Sequence, residues 1–350
     1  MVKKTIFISL AVLLIAALVL SGCSKETTTP APATSSSTAV KVITMRCASE
    51  FGPTEPISMI MKELEGAVPQ ATGGRVKFEY YPAAQLYTFG DAITAMQAGD
   101  LEMGMNGMPI SFFVPEWDII CNLLFLVDDN AHLQRLCDTA TYKDLSARME
   151  AKGIKPLTRV YPMGDQPLFN NKRPIIKLED FKGLKLSVGP GPTFLEAMTL
   201  LAGSAPVNVP VPEVPAALET GMVDGSPFPW PVMSFIDFPR LLPYVTEVPF
   251  GLSFPVGLAV SAKWWNTLPA DLQQTLQTTF EDAMTKYGQM VVAVNDEQKK
   301  KYTDSPNTTV TVLTDAQLAV WKDALKPLYD KARQDPNLLA VIQAADATRQ

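Results

Sequence analysis

The sequence predicts an α/β fold of βαβ units on a mostly parallel sheet, divided into two domains. The first observation is the stretch from Leu178 to Pro231, which reads as strand, loop, helix, strand, helix, strand. Leu184, Leu186 and Val188 alternate, and Gly189-Pro190-Gly191-Pro192 breaks the run. Phe194, Leu195, Met198 and Leu201 then recur at helical spacing until Gly203. Val207 and Val209 make a second short strand. Val214, Ala217, Leu218 and Met222 make a second helical stripe, and Pro227, Phe228, Pro229 and Trp230 form a stiff aromatic loop. The second observation is a stripe of Leu268, Leu272, Leu276, Phe280, Met284, Tyr287, Val291 and Val294, with Pro269 in the first turn. It predicts one helix over 268–302, more than twice the usual length of about 11–12 residues, so it should brace more than one unit. The third is length: 350 residues suffice for two domains with a sizeable core.

Taken in order, the chain begins with a processing segment. Lys3 and Lys4 precede an apolar run from Ile6 to Leu20, and Leu20-Ser21-Gly22-Cys23 resembles a bacterial lipobox. Residues 1–22 are therefore expected to be a lipoprotein signal peptide, with cleavage before Cys23 and lipidation of its thiol. Residues 23–40 are mostly Ser, Thr, Pro and Ala with almost no large apolar side chain, which predicts a disordered tether. Val42–Arg46 is a strand, and the loop Ser49–Pro56 leads into a helix carrying Ile57, Ile60, Met61, Leu64 and Val68. That first βα turn makes Glu50 and Phe51 candidates for a ligand edge. Arg75–Tyr81 alternates as a strand, 92–98 is helical, and Leu101–Met105 is a strand that opens into a turn at Asn106. The run 130–149 is amphipathic on Leu133, Leu136, Leu145 and Met149. A strand is expected over 157–161, and Met163-Gly164-Asp165-Gln166 reads as a crossing between lobes. Val245–Phe250 is expected to cross back, 310–313 to be a strand, and 315–331 a helix, with the end after Asp335 packing weakly.

Several motifs in this order carry a resemblance. K-G-L-K before a strand, A-L-E-T-G-M-V-D-G, A-T-G-G-R-V-K-F-E-Y-Y-P, A-M-Q-A-G-D-L-E-M-G and W-W-N-T-L-P-A-D-L-Q together resemble the extracytoplasmic solute-binding subunits of TRAP transporters, the DctP family, over roughly 42–328. The resemblance implies a two-lobed, periplasmic-binding-protein-like α/β fold with a hinge and a long helix across both lobes. Lobe 1 is then expected over 41–165 and 250–350, and lobe 2 over 166–249. It also implies a protein that captures a small solute between the lobes, closes by hinge bending and delivers it to separate membrane subunits.

The resemblance further implies two arginines that fix a ligand carboxylate with a planar fork. One would follow K-G-L-K-L, where this chain has Ser187; the other belongs to a G-x-R pattern, where it has Gln166. The polar Q-E-N after V-D-G is replaced by Ser226-Pro227-Phe228. Two ligand readings follow. In the first, a small organic acid is held by neutral donors from Gln166, Ser187 and Asn106, beside the Gly189 loop and packed on Phe228 and Trp230. In the second, a neutral or cationic solute uses Asp165 or Glu50 as counter-charge and Trp230 as a cation–π face. In the first reading Arg46, Arg159 or Arg240 is free to approach the site. A ligand-sensing partner of a signalling receptor is a third use of the same scaffold.

Other classes find little support. The net charge of −6 argues against nucleic acid, since Lys299–Lys301 is a short solvated run beside Asp296 and Glu297. His132, the one histidine, lies in a polar helix start, DDNAH, and is read as a surface residue rather than a general base. No GxSxG, HExxH or Ser-His-Asp set forms around it, so no enzyme, metal or cofactor is expected. Gly189-Pro190-Gly191-Pro192 lacks the third glycine of a dinucleotide fingerprint and reads as a rigid strand-to-helix turn. Cys47, Cys121 and Cys137 have no zinc spacing. Export permits a disulfide between Cys121 and Cys137, with buried thiols the alternative.

Overall fold

A computed structural model describes residues 41–107, 114–188, 191–203, 206–209, 213–231, 238–250 and 255–350. The signal peptide, Cys23, the tether and Gly189 lie outside the described residues, as does the side chain of Asn106.

The alternating run Ile43–Ala48 forms β1, with Met45 and Cys47 buried. α1 (Pro56–Ala71) starts on a proline and faces the core with Ile57, Ile60, Met61, Leu64 and Val68. β2 (Val76–Tyr81) follows, then α2 (Phe89–Ala98), capped by the Thr88 side chain and stopped by Gly99 in a left-handed conformation. After β3 (Met103–Gly107) come α3 (Pro115–Asn122), α4 (Asn130–Cys137) and α5 (Ala140–Ala151). The amphipathic run over 130–149 is two helices, because the Thr139 side chain accepts from Tyr142 N and starts a new one. β4 (Ile154–Pro156) precedes the strand expected over 157–161, of which Tyr161 alone bridges to Val256.

β5 (Leu168–Asn170), β6 (Ser187–Val188), α6 (Pro192–Ala202), β7 (Val207–Asn208), α7 (Val214–Glu219), β8 (Gly225–Pro227), α8 (Phe238–Leu241) and β9 (Tyr244–Glu247) make up the middle of the chain. β10 (Val256–Ser261), α9 (Ala262–Trp265), α10 (Ala270–Thr303), β11 (Thr309–Val312), α11 (Asp315–Ala324), α12 (Lys326–Ala332) and α13 (Pro336–Thr348) complete it.

Two sheets result. The first has the order β2-β1-β3-β10-β4, and the second β11-β9-β5-β8, extended by the parallel pair β6-β7 through a bridge from Leu186 to Gly225. The sheets are less parallel than expected: β10 runs against β3 and β4, and β5 against β8 and β9. The reason is topological. β5 and β10 are the strands that directly follow the two passages from one sheet to the other, after β4 and after β9. They enter from the edge at which β1, β3, β6, β8 and β9 end, and so run away from it.

α10 is 34 residues long, about 50 Å. Its first half packs on α1, with Phe280 5.7 Å from Phe78 and Lys286 paired with Glu63. Its last turn reaches the second sheet, where Tyr302 stacks on Phe169 and Trp230 and donates its hydroxyl to Leu242 O. The chain then departs from the expected boundary for residues 250–350. β11 pairs with β9 of the second sheet, and Trp321 on α11 packs 5.2 Å from Phe181. The end after Asp335 does not pack weakly: α13 buries Val341, Ile342 and Ala345 against α3, α4 and α5, and Arg135 donates to Thr348 O at 2.7 Å.

Candidate functional site

In open α/β sheets the ligand crevice lies at the carboxyl ends of the strands. Here those ends are Ala48 on β1, Gly107 on β3, Val188 on β6, Pro227 on β8 and Glu247 on β9. The two crossings join the first sheet to the second along that edge. The expected site residues divide among four places on it.

Asp165, Gln166, Phe228 and Trp230 are brought together where the crossing enters β5. Trp230 N donates to Asp165 O at 3.1 Å, and Gln166 Nε2 to Pro227 O at 3.3 Å. Asp165 is held from the long helix: its amide donates to Asn295 Oδ1 at 2.9 Å, and Asn295 Nδ2 donates to its carboxylate at 3.2 Å. Trp230 is 0 % exposed, edge-on to Phe169 at 5.0 Å, so it is a core ring and offers no face to a cation. Phe228 is buried against Phe238.

Ser187 is buried on β6, separated from β5 by β8. Glu50 and Phe51 stand on the first sheet's edge. Glu50 Oε1 accepts from Phe89 N at 2.5 Å, at the start of α2, and the Phe51 ring meets Phe89 edge-on at 5.1 Å. Asn106 is the last residue but one of β3, paired with Gly257 by its backbone. Both carboxylates proposed as counter-charges for a cation, Asp165 and Glu50, are thus engaged within the protein.

The model of the DctP family, described as bacterial extracellular solute-binding protein, family 7, matches residues 47–335. The chain belongs to this family. It is similar to the C4-dicarboxylate-binding periplasmic protein DctP of Rhodobacter capsulatus, 26% identical over 312 residues, covering 87% of this chain and 91% of the relative. It is similar also to the 2,3-diketo-L-gulonate-binding periplasmic protein YiaO of Escherichia coli K12, 26% identical over 284 residues, 80% of this chain and 84% of that one. Among solved structures, a TRAP periplasmic solute-binding protein from Haemophilus influenzae with bound L-gulonate superposes with a TM-score of 0.78 at 21% identity, over 88% of this chain and all of that one. The expected two-lobed α/β fold with its long helix is therefore the fold of this DctP protein.

Within this DctP protein every arginine is committed elsewhere. Arg46 forks onto Glu102 at 2.8 Å through both Nε and Nη2, Arg159 pairs with Asp138 at 2.5 Å, and Arg240 with Glu219 at 3.1 Å. Arg75, Arg135, Arg148, Arg173, Arg333 and Arg349 are likewise held by carboxylates or backbone carbonyls. The three arginines named as possible ligand contacts are thus each paired within the protein. His132 is not a surface residue: it is 0 % exposed, Nδ1 accepts from Asp128 N at 3.0 Å, and Nε2 donates to Ala345 O at 2.8 Å. Cys47, Cys121 and Cys137 are free buried thiols, and burial raises the pKa of all three.

Sequence reasoning missed the polar junction on α10. Asn295 and Gln298 continue the buried stripe from Val291 to Tyr302 in place of the expected Val294. One turn beyond Asn295, Lys299 Nζ lies 3.2 Å from Glu247 Oε1, an ion pair that ties the helix to β9. Burial holds the Glu247 carboxyl above its usual range against the pull of Lys299, and Asp165 adds to the rise. A polar residue on an apolar stripe was the available signal.

Glu55, before α1, was also missed. It accepts from Gly52 N at 2.9 Å, and burial pushes its pKa up to about 6 from 4.5. A carboxyl with a raised folded-state pKa binds its proton more tightly when folded. Its cost is absent below about pH 4.5, grows as pH rises, and is complete above about pH 6. Glu55→Gln should therefore gain about 2 kcal/mol at pH 7.5 and little at pH 4.5. Urea denaturation at both pH values tests this; an equal effect at both removes Glu55 as the cause.

Proposed function

We infer that the protein captures a small organic acid at the edge shared by its two sheets and delivers it to the membrane subunits of a TRAP transporter, without chemical change. The observation that carries this reading is the family match over 47–335, which takes in strands of both sheets and both crossings. The solutes named for the three relatives described above, a C4-dicarboxylate, 2,3-diketo-L-gulonate and L-gulonate, are carboxylic acids. The proposed contacts are neutral donors at Gln166, Ser187 and Asn106, with the Gly189 loop and Phe228 beside them. Glu50, Asp165 and Trp230 serve as supports for that edge. Lobe 1 is proposed over 41–165, joined by β10 and the first half of α10. Lobe 2 is proposed over 166–249, joined by β11. The protein is held on the extracytoplasmic side by acyl chains on Cys23, through the tether 24–40.

A thermal-shift screen of organic acids, amines and polyols tests the ligand class. A solute that binds only the folded state at 100 times its Kd stabilises it by about 2.7 kcal/mol, about 4 °C in a chain of this size. A rise with acids and unchanged solute afterwards is expected. A rise confined to amines overturns the acid reading, and turnover of the bound solute overturns the transport reading. The intact mass of the membrane-extracted protein should begin at Cys23 and carry acyl chains; an unmodified Cys23 removes the anchor.

A further inference from the structure

A groove of about 670 Å³ lies on the second sheet at the end opposite the ligand edge. Its walls are Leu184 and Leu186 ahead of β6, Leu200 and Leu201 at the end of α6, Val207 at the start of β7, and Met222 ahead of β8. β6 and β8 run from this groove to the ligand edge, and α6 runs from that edge back to the groove, so whatever fills the groove leaves the ligand edge open. Apolar side chains gain by leaving water, yet Met222 is 62 % exposed, Val207 46 % and Leu200 37 %.

The rim of the groove is cationic. The stretch 172–185 carries five Lys or Arg against two acids, in a chain whose net charge is −6. Arg173 is held by the carbonyls of Asp180 and Lys182, Asp180 accepts from the amides of Ile176 and Lys177, and Lys172 pairs with Asp224. Lys182 and Lys185 are exposed and line the groove beside Glu179. Lys185 donates to Gly221 O, and among the described residues neither lysine is in an ion pair with a carboxylate.

We propose that this groove docks the body on an anionic membrane surface, its apolar side chains entering the headgroup layer while Lys182 and Lys185 meet lipid phosphates. The proposal rests on the lipid-anchor reading above only for nearness to a bilayer. Residues 24–40, 17 in all, extend to about 55 Å at most, long enough for the body to turn any face to the membrane. A peptide suits the groove less well, because β7 beside it has two residues, too few to template an added strand. Docked in this way, the protein holds its ligand edge away from the bilayer and open to solute; delivery then requires release.

The test is flotation with lipid vesicles of the chain from Ser24, which keeps tether and body and lacks the acylated cysteine. Residues 41–350 form one compact unit, so the body is left whole. Vesicles of phosphatidylglycerol should bind it at least about tenfold more tightly than vesicles of phosphatidylcholine, and added salt should weaken that binding. Lys182→Gln with Lys185→Gln should weaken it by about 10–30-fold, and Met222→Ser by about threefold or more. Lys143→Gln with Lys152→Gln, on α5 beside the first sheet, removes the same charge elsewhere and should change little. All five side chains are exposed, and melting checks that each variant is folded. No flotation with phosphatidylglycerol overturns the proposal, as does equal flotation with both lipids or an unchanged Lys182 and Lys185 variant. An equal loss in the α5 variant also overturns it, since overall charge and not the groove would then meet the membrane. Because this chain carries no acyl group, failure to float leaves the anchor reading intact, and an unmodified Cys23 leaves this result intact.

Discussion

Truncating Trp230 to alanine should cost about 3–5 kcal/mol of stability and lower the melting temperature by about 4–8 °C. The indole is fully buried where the first crossing, β5 and the end of α10 meet, 5.0 Å from the Phe169 ring and 5.4 Å from Tyr302. Tyr302 is fixed by its hydroxyl on Leu242 O, so it cannot swing in to fill the space. The cavity would open beneath the last turn of α10, where that helix grips the second sheet. Trp230→Phe should cost less than half as much, since it keeps a ring in place and removes an indole N–H that finds no acceptor among the described residues. Val292→Ala on the exposed face of the same helix should change little. Urea denaturation of the three variants decides the matter; a loss below about 1 kcal/mol for Trp230→Ala would mean that the surrounding rings collapse into the space.

What could be read from the sequence was what repeats at short range. The stripe from Leu272 to Val291 predicts α10 almost to the residue, because burial of one helix face needs only the 3.6-residue period. The alternation of Ile43–Ala48 and the glycine stop at Gly203 are local in the same sense. What failed depended on distant partners. His132 sits among polar residues in sequence, yet α13 covers it with a carbonyl 213 residues away. Asp165 reads as a counter-charge for a solute, but its partner Asn295 is 130 residues on. Asp118 on α3 has no informative spacing at all, since Thr193, whose hydroxyl donates to it, lies 75 residues beyond it. The split of 130–149 into two helices was written in Thr139, a capping residue inside an amphipathic run. The absence of arginine at 166 and 187 was legible; that no other arginine replaces it was not, because each partner had to be found in space.

Gly225→Ala should be the most damaging single methyl addition in the second sheet. Gly225 pairs with Asn170 across β5 and bridges to Leu186, so it is the point where β6 and β7 join the larger sheet. A Cβ there would lie 2.1 Å from Phe169 O and 2.7 Å from Asn170 Cβ. These are atoms of a paired strand, with no flexible side-chain end to swing aside, so β5 and β8 must part. β8 carries Ser226 and leads directly into Phe228, and Pro227 O is the acceptor for Gln166, so the ligand edge would go with the pairing. A loss above about 4 kcal/mol is expected, seen as insoluble protein or a fall of more than about 6 °C in melting temperature. Gly66→Ala is the internal comparison: it lies inside α1 with open space where its Cβ would go, and should gain about 0.5–1 kcal/mol from helix propensity. A Gly225→Ala protein that melts within about 2 °C of wild type would show that the strand pair can slide by the width of a methyl. The glycine of the V-D-G motif would then be needed for something other than the approach of β5.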